Sequence, residues 1–174
     1  MKTGFALLMG LIVASVANAV IPEGELAELL REVKTMRVAI NQGNAEVVLP
    51  KIHPAIYRVA GGQENYEKVF GKELKQLKAS KVKAHSVETL PPPAYYNSGE
   101  DLLCFVPTLM VVELDGRKIR VESFMVAARG PGQAWRYLDG NPIWHNPRMI
   151  RQLFPGLPEI IRFPPHKNTV IQEP

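Results

Sequence analysis

The chain has 174 residues, 46% of them hydrophobic and 22% charged, with a net charge of +4 and a single cysteine. That size and apolar content are enough for one sizeable core. The lone Cys104 excludes an internal disulfide, and so small a net charge gives no electrostatic case for a nucleic-acid partner.

The N-terminus reads as a secretory leader: Lys2, an apolar stretch over residues 5–16, then the small-x-small pattern Ala17-Asn18-Ala19. Residues 1–19 are expected to be a cleaved signal peptide, and the mature chain is expected to start near Val20 in a periplasmic or extracellular compartment. The apolar stretch is shorter than the about 20 residues that cross a bilayer, and no later stretch approaches that length, so no transmembrane segment is expected. Charge is uneven along the remainder, with 9 basic and 4 acidic side chains over residues 117–174 against 11 and 13 over residues 20–116.

The first element is a helix over residues 24–40, with Leu26, Leu29, Leu30, Val33, Met36 and Ile40 at helical spacing on one face. Asn41-Gln42-Gly43-Asn44 ends it, and Asn44 is placed to cap a short helix over residues 45–52. Residues 53–62 read as irregular. A further helix over residues 63–79 places Tyr66, Val69, Phe70, Leu74 and Leu77 together, interrupted by a costly Gly71.

Beyond residue 80 the period becomes that of strands: residues 82–90, 102–113 and 118–129, the last two joined by the hairpin signal Asp115-Gly116, and then 133–138. Ile119, Val121, Ser123, Met125 and Ala127 fall on one face of the third of these. Pro91-Pro92-Pro93 and Asn97-Ser98-Gly99 mark an exposed loop between the first two strands. Cys104, inside Leu102-Leu103-Cys104-Phe105-Val106, reads as a buried, inert thiol. Residues 20–140 are expected to form the domain. Residues 141–174 are a Pro-rich extension, packed on it or trailing from it, with a short helix over 147–154 and an extended or disordered tail from 163.

Helices followed by a meandering antiparallel sheet make an α+β domain, with the N-terminal helices packed in a curved sheet. The break at Gln42-Gly43-Asn44, the short helix ending near His53-Pro54, and the closing strand Trp135-Arg136-Tyr137-Leu138 before Asp139-Gly140 resemble the NTF2-like superfamily. That is the cystatin-like cone shared with ketosteroid isomerases and SnoaL-like cyclases, and the resemblance covers residues 24–140. It implies an apolar cavity between the helices and the inner sheet face, with His53, Tyr57, Tyr66 and His85 as candidate cavity groups. It also implies a homodimer through the outer face, where Phe124 and Val126 fall.

No nucleophile elbow, phosphate loop, zinc-peptidase motif or Cys-x-x-Cys is present, so no cofactor is expected. His53, His85, His145 and His166 lack ligand spacing, so no metal is expected either. His53 with Tyr57 is the best acid–base pair available, although His53 also suits a structural cap. Tyr57, Tyr66, Trp135 and Tyr137 are candidate ligand-stacking residues, with core packing the competing use of the last two. Arg148 and Arg151, beside Trp144-His145-Asn146, are candidates for the rim of an anion or partner site. The function expected is an exported, non-catalytic domain that binds a small apolar ligand or a protein partner. The alternative is a small-molecule isomerase or lyase of the ketosteroid isomerase type.

Overall fold

The structure, a computed structural model, describes residues 21–80 and 82–171; the leader read over residues 1–19 lies outside them. Helix α1 (Glu23–Asn41) carries Glu23 and Glu25 in its first turn, where the helix dipole favours acids, and buries Leu29, Val33, Met36 and Ile40 as one stripe. It stops where Gly43 takes a left-handed φ of 64°. A Cβ at that position would stand 2.2 Å from the Leu74 carbonyl oxygen, so glycine is what lets the end of α1 approach the fourth helix.

Asn44 caps α2 (Ala45–Val48) by accepting the Val47 N–H, and a single 3-10 turn, Leu49–Lys51, follows. Residues 53–62 are not wholly irregular. Helix α3 (Ala55–Val59) forms there because Pro54 already has helical dihedrals and the His53 ring stands in for a capping side chain: its Nδ1 accepts the Ala55 N–H at 3.2 Å. Helix α4 (Gln63–Ala79) has the bounds its period predicts.

The sheet has six antiparallel strands: β1 (Lys83–Thr89), β2 (Tyr95–Ser98), β3 (Asp101–Leu114), β4 (Arg117–Arg129), β5 (Arg136–Asp139) and β6 (Lys167–Val170). The β3–β4 hairpin runs in continuous register from Leu114 opposite Arg117 to Leu102 opposite Arg129. Asp115 and Gly116 join it with φ of 51° and 76°, the paired positive values of a type I′ turn. Strands β1 and β2 share the far edge of β3, and β5 and β6 share the far edge of β4.

Two of these strands differ from the sequence reading. Residues 95–98, expected in an exposed loop, form β2, because the prolines end at 93 and the turn at Gly99-Glu100 folds the segment back so that Ser98 faces Asp101. The tail contributes β6, whose Val170 faces Ile119 and whose Lys167 faces Glu122.

Opposed residues of an antiparallel pair share a face. Cys104 with Ala127, Val106 with Met125, and Met110 with Val121 therefore make one face, which α1 covers; the Asn41 amide reaches Met110 Sδ at 3.1 Å. Phe105 with Val126 and Pro107 with Phe124 make the other. Phe124 and Val126, expected on an open outer face available to a second copy, are fully buried within the chain itself. Phe163 of the C-terminal segment lies over them, its ring centroid 5.0 Å from Phe105 and 5.7 Å from Phe124.

That segment is packed on the sheet. It holds α5 (Gly140–His145), which was not foreseen, and α6 (Met149–Leu153), and it buries Ile143, Ile150, Leu153, Phe154 and Leu157. The architecture is α+β, with helices N-terminal to an antiparallel sheet in a cone-like arrangement. Among the described residues no helix is long and apolar enough to cross a membrane.

Candidate functional site

Two clefts flank the aromatic wall that α3 and α4 build together. Tyr57 of α3 meets Tyr66 of α4 edge-on at 5.6 Å, and Tyr66 stacks on Phe70 at 5.2 Å. The spacing of Tyr66, Val69, Phe70 and Leu77 along α4 sets these side chains on one face, yet only Leu74 of the helix is buried.

The helix cleft, about 350 Å³, opens beneath that face. Leu138, Ile143, Met149 and Leu153 line it from β5, α5 and α6, and Ile40 and Ile56 line it from α1 and α3. Its polar groups are Tyr66, Glu73, Asp139 and Asn141. Burial pushes the Tyr66 phenol well above its ordinary value of 10, and the carboxylates of Asp139 and Glu73 push it the same way, so the hydroxyl keeps its proton. Asp139 is held by a buried cation: Arg37 Nη1 lies 3.3 Å from both carboxylate oxygens, while Nη2 donates to the Phe124 carbonyl at 2.9 Å. The Asp139 carboxylate also accepts the Asn141 N–H at the start of α5.

The strand cleft, about 490 Å³, is more polar, with His53, Tyr57, Glu67, Arg129, Gln133 and Arg136 on its walls. The sequence-derived pair His53 and Tyr57 thus lines one cleft. The lone pair at His53 Nδ1 is occupied by the Ala55 N–H, which leaves the ring proton on Nε2. Burial lowers the His53 pKa below 6.5, and Arg58 and Arg136 act in the same direction against Asp101. His53 is a neutral cap, its ring 5.0 Å from Phe154. The arginines are engaged too: Arg129 pairs with Glu25 and lies 4.7 Å over the Trp135 ring, and Arg136 donates to the Pro50 carbonyl.

The other sequence-derived candidates lie apart from both clefts. Trp135 is buried under Arg129. Tyr137 is fully buried and donates to Glu32, which Lys51 holds at 2.8 Å. Arg151 directs its donors at the carbonyls of Leu157, Pro158 and Glu159, closing its own C-terminal loop, while Arg148 is exposed. His85 pairs with Glu113 at the surface. Cys104 is buried, and burial raises its thiol pKa, so it stays an inert core group.

Glu73, Asp139 and Arg37 were not singled out from the sequence. One signal was present: Arg37 interrupts the apolar stripe of α1 between Met36 and Ile40, and a cation on a core-facing stripe requires a buried acid. Comparison with protein-family models, with curated proteins and with solved structures finds no match for this chain.

Proposed function

We propose that this chain is an exported, non-catalytic domain that binds a small apolar ligand in the helix cleft. The observation that carries the reading is the apolar face of α4, where Tyr66, Val69, Phe70 and Leu77 line a cleft of about 350 Å³ and Val69 and Leu77 are left exposed. That volume lies within the about 300–1,000 Å³ of typical ligand pockets, and apolar walls with a few convergent polar groups are their usual composition. Helices set before an antiparallel sheet, with a cavity beside them, also support the NTF2-like resemblance. The non-catalytic reading is supported by the engagement of its titratable groups: His53 caps α3, Asp139 is held by Arg37, and Tyr137 is tied to Glu32.

Native mass spectrometry of the chain from its exported fraction tests this directly. A retained small molecule, displaced in a Val69→Phe variant that fills the cleft, is the expected result. Val69 is 52% exposed, so the larger ring should leave the melting temperature unchanged. An apo mass, together with no uptake of any apolar probe, would sink the reading.

One observation favours a second reading, an isomerase or lyase: Tyr66 keeps its proton beside the carboxylates of Asp139 and Glu73 within an apolar cleft. Under that reading a Tyr66→Phe variant retains ligand but loses turnover. Under the binding reading there is no turnover to lose.

A further inference from the structure

We infer that the helix cleft selects a positively charged apolar molecule, an alkylamine or alkylammonium, over neutral and anionic analogues. This rests on the apolar-ligand reading above and specifies its chemistry. Among the described residues, the charged groups lining the cleft are two carboxylates, Glu73 and Asp139, with no lysine, arginine or histidine. The lysines of α4, Lys68, Lys72, Lys75 and Lys78, lie outside that lining although they alternate with it in sequence.

Asp139 is compensated by Arg37, which sits behind it with a side chain only 5% exposed. Glu73 lines the cleft with an exposed side chain and, among the described residues, has no ion-pair partner, so it supplies the free negative charge. Beside it on α4, one turn and two turns back, stand the stacked rings of Phe70 and Tyr66. Aromatic faces attract cations through their quadrupole, and the attraction grows as the cation loses water in an apolar site. An alkyl chain suits the Leu138, Ile143 and Leu153 floor, which places its head at the Glu73 rim. An alkyl carboxylate seated the same way would bring a like charge to Glu73, and an alcohol would gain neither attraction.

The test is calorimetric titration of the purified full chain with three probes of equal chain length: octyltrimethylammonium, 1-octanol and octanoate. The expected result is the ammonium binding roughly tenfold more tightly than the alcohol, and octanoate binding most weakly. In Glu73→Gln the advantage of the ammonium over the alcohol should fall below about twofold, and in the parent chain it should shrink as salt is added. Equal binding of ammonium and alcohol, or an advantage untouched by Glu73→Gln, overturns the cation inference while the apolar-ligand reading stands. Binding by none of the three overturns both.

Discussion

Helices α1 and α4 are alike as sequences and different as structure. Both are long and both set apolar residues on one face; α4 is no less amphipathic than α1. Yet α1 buries Leu29, Val33, Met36, Arg37, Ala39 and Ile40, whereas α4 buries Leu74 alone. The difference lies in what each faces. Helix α1 lies against β1 and β3, and the tail closes the opposite side of the sheet. Helix α4 packs on α1 and α3 and faces β5, α5 and α6 across the cleft. An amphipathic period shows that a face seeks cover and does not say whether protein or ligand provides it.

The largest effect should come from the one charge that α1 buries. Arg37→Ala would leave Asp139 without its counter-ion and the Phe124 carbonyl without its donor, and should cost about 3–5 kcal/mol in urea unfolding. A smaller loss than 1 kcal/mol would mean that water serves Asp139 equally well. Next is a direct contrast between the two helices. Met36→Ala should cost about 2–5 kcal/mol because it opens a cavity in a closed core, whereas Leu77→Ala on α4, at 37% exposure, should cost less than about 1 kcal/mol. Equal losses would show that α4 is packed as firmly as α1.

The acid limb of stability should be set by two histidines outside both helices. Burial lowers the pKa of His53 and of His166, the latter also pushed down by its neighbour His145, against the pull of Asp139. Each folded-state value therefore lies below the ordinary 6.5, and the folded chain binds fewer protons than the unfolded one just below that pH. Stability is complete above about pH 6.5 and is lost as pH falls through the folded-state values. For His53 the loss has a visible origin, since protonated Nδ1 cannot accept the Ala55 N–H. His53→Asn keeps a capping acceptor and removes the titration, so the fall in melting temperature from pH 7 to 5.5 should shrink by roughly a few degrees. An unchanged acid limb would exclude His53 as a contributor.

The smallest effect belongs to α4 alone. A Cβ at Gly71 would meet nothing within 4 Å, so no close approach requires glycine there. Gly71→Ala should stabilise the chain by roughly 1 kcal/mol through helix propensity. If the cleft needs a pliable α4, the same change should also slow ligand release.

Elements governed by neighbours in sequence were legible in advance. The bounds of α4, the stripe of α1, the cap at Asn44 and the Asp115-Gly116 turn follow from local dihedral preference and side-chain period, as does the register that turn imposes on β3 and β4. Part of the candidate site was legible too: Tyr57 and Tyr66 were singled out, and they do line the clefts. Trp135 and Tyr137 were equally good candidates as residue types; Arg129 over one and Glu32 bonded to the other are partners that no local pattern announces.

Local pattern alone therefore fixes the α+β class, most element bounds and the buried stripe of α1. Tertiary structure alone decided which inward face became core and which became a cleft. It joined Arg37 to Asp139 across 102 residues and laid Phe163 over Phe105 and Phe124. It also gave the tail a strand's place beside β4. The physical reason is common to all of these: they depend on the meeting of surfaces far apart along the chain, where burial area and charge compensation choose among partners that local preference leaves equivalent.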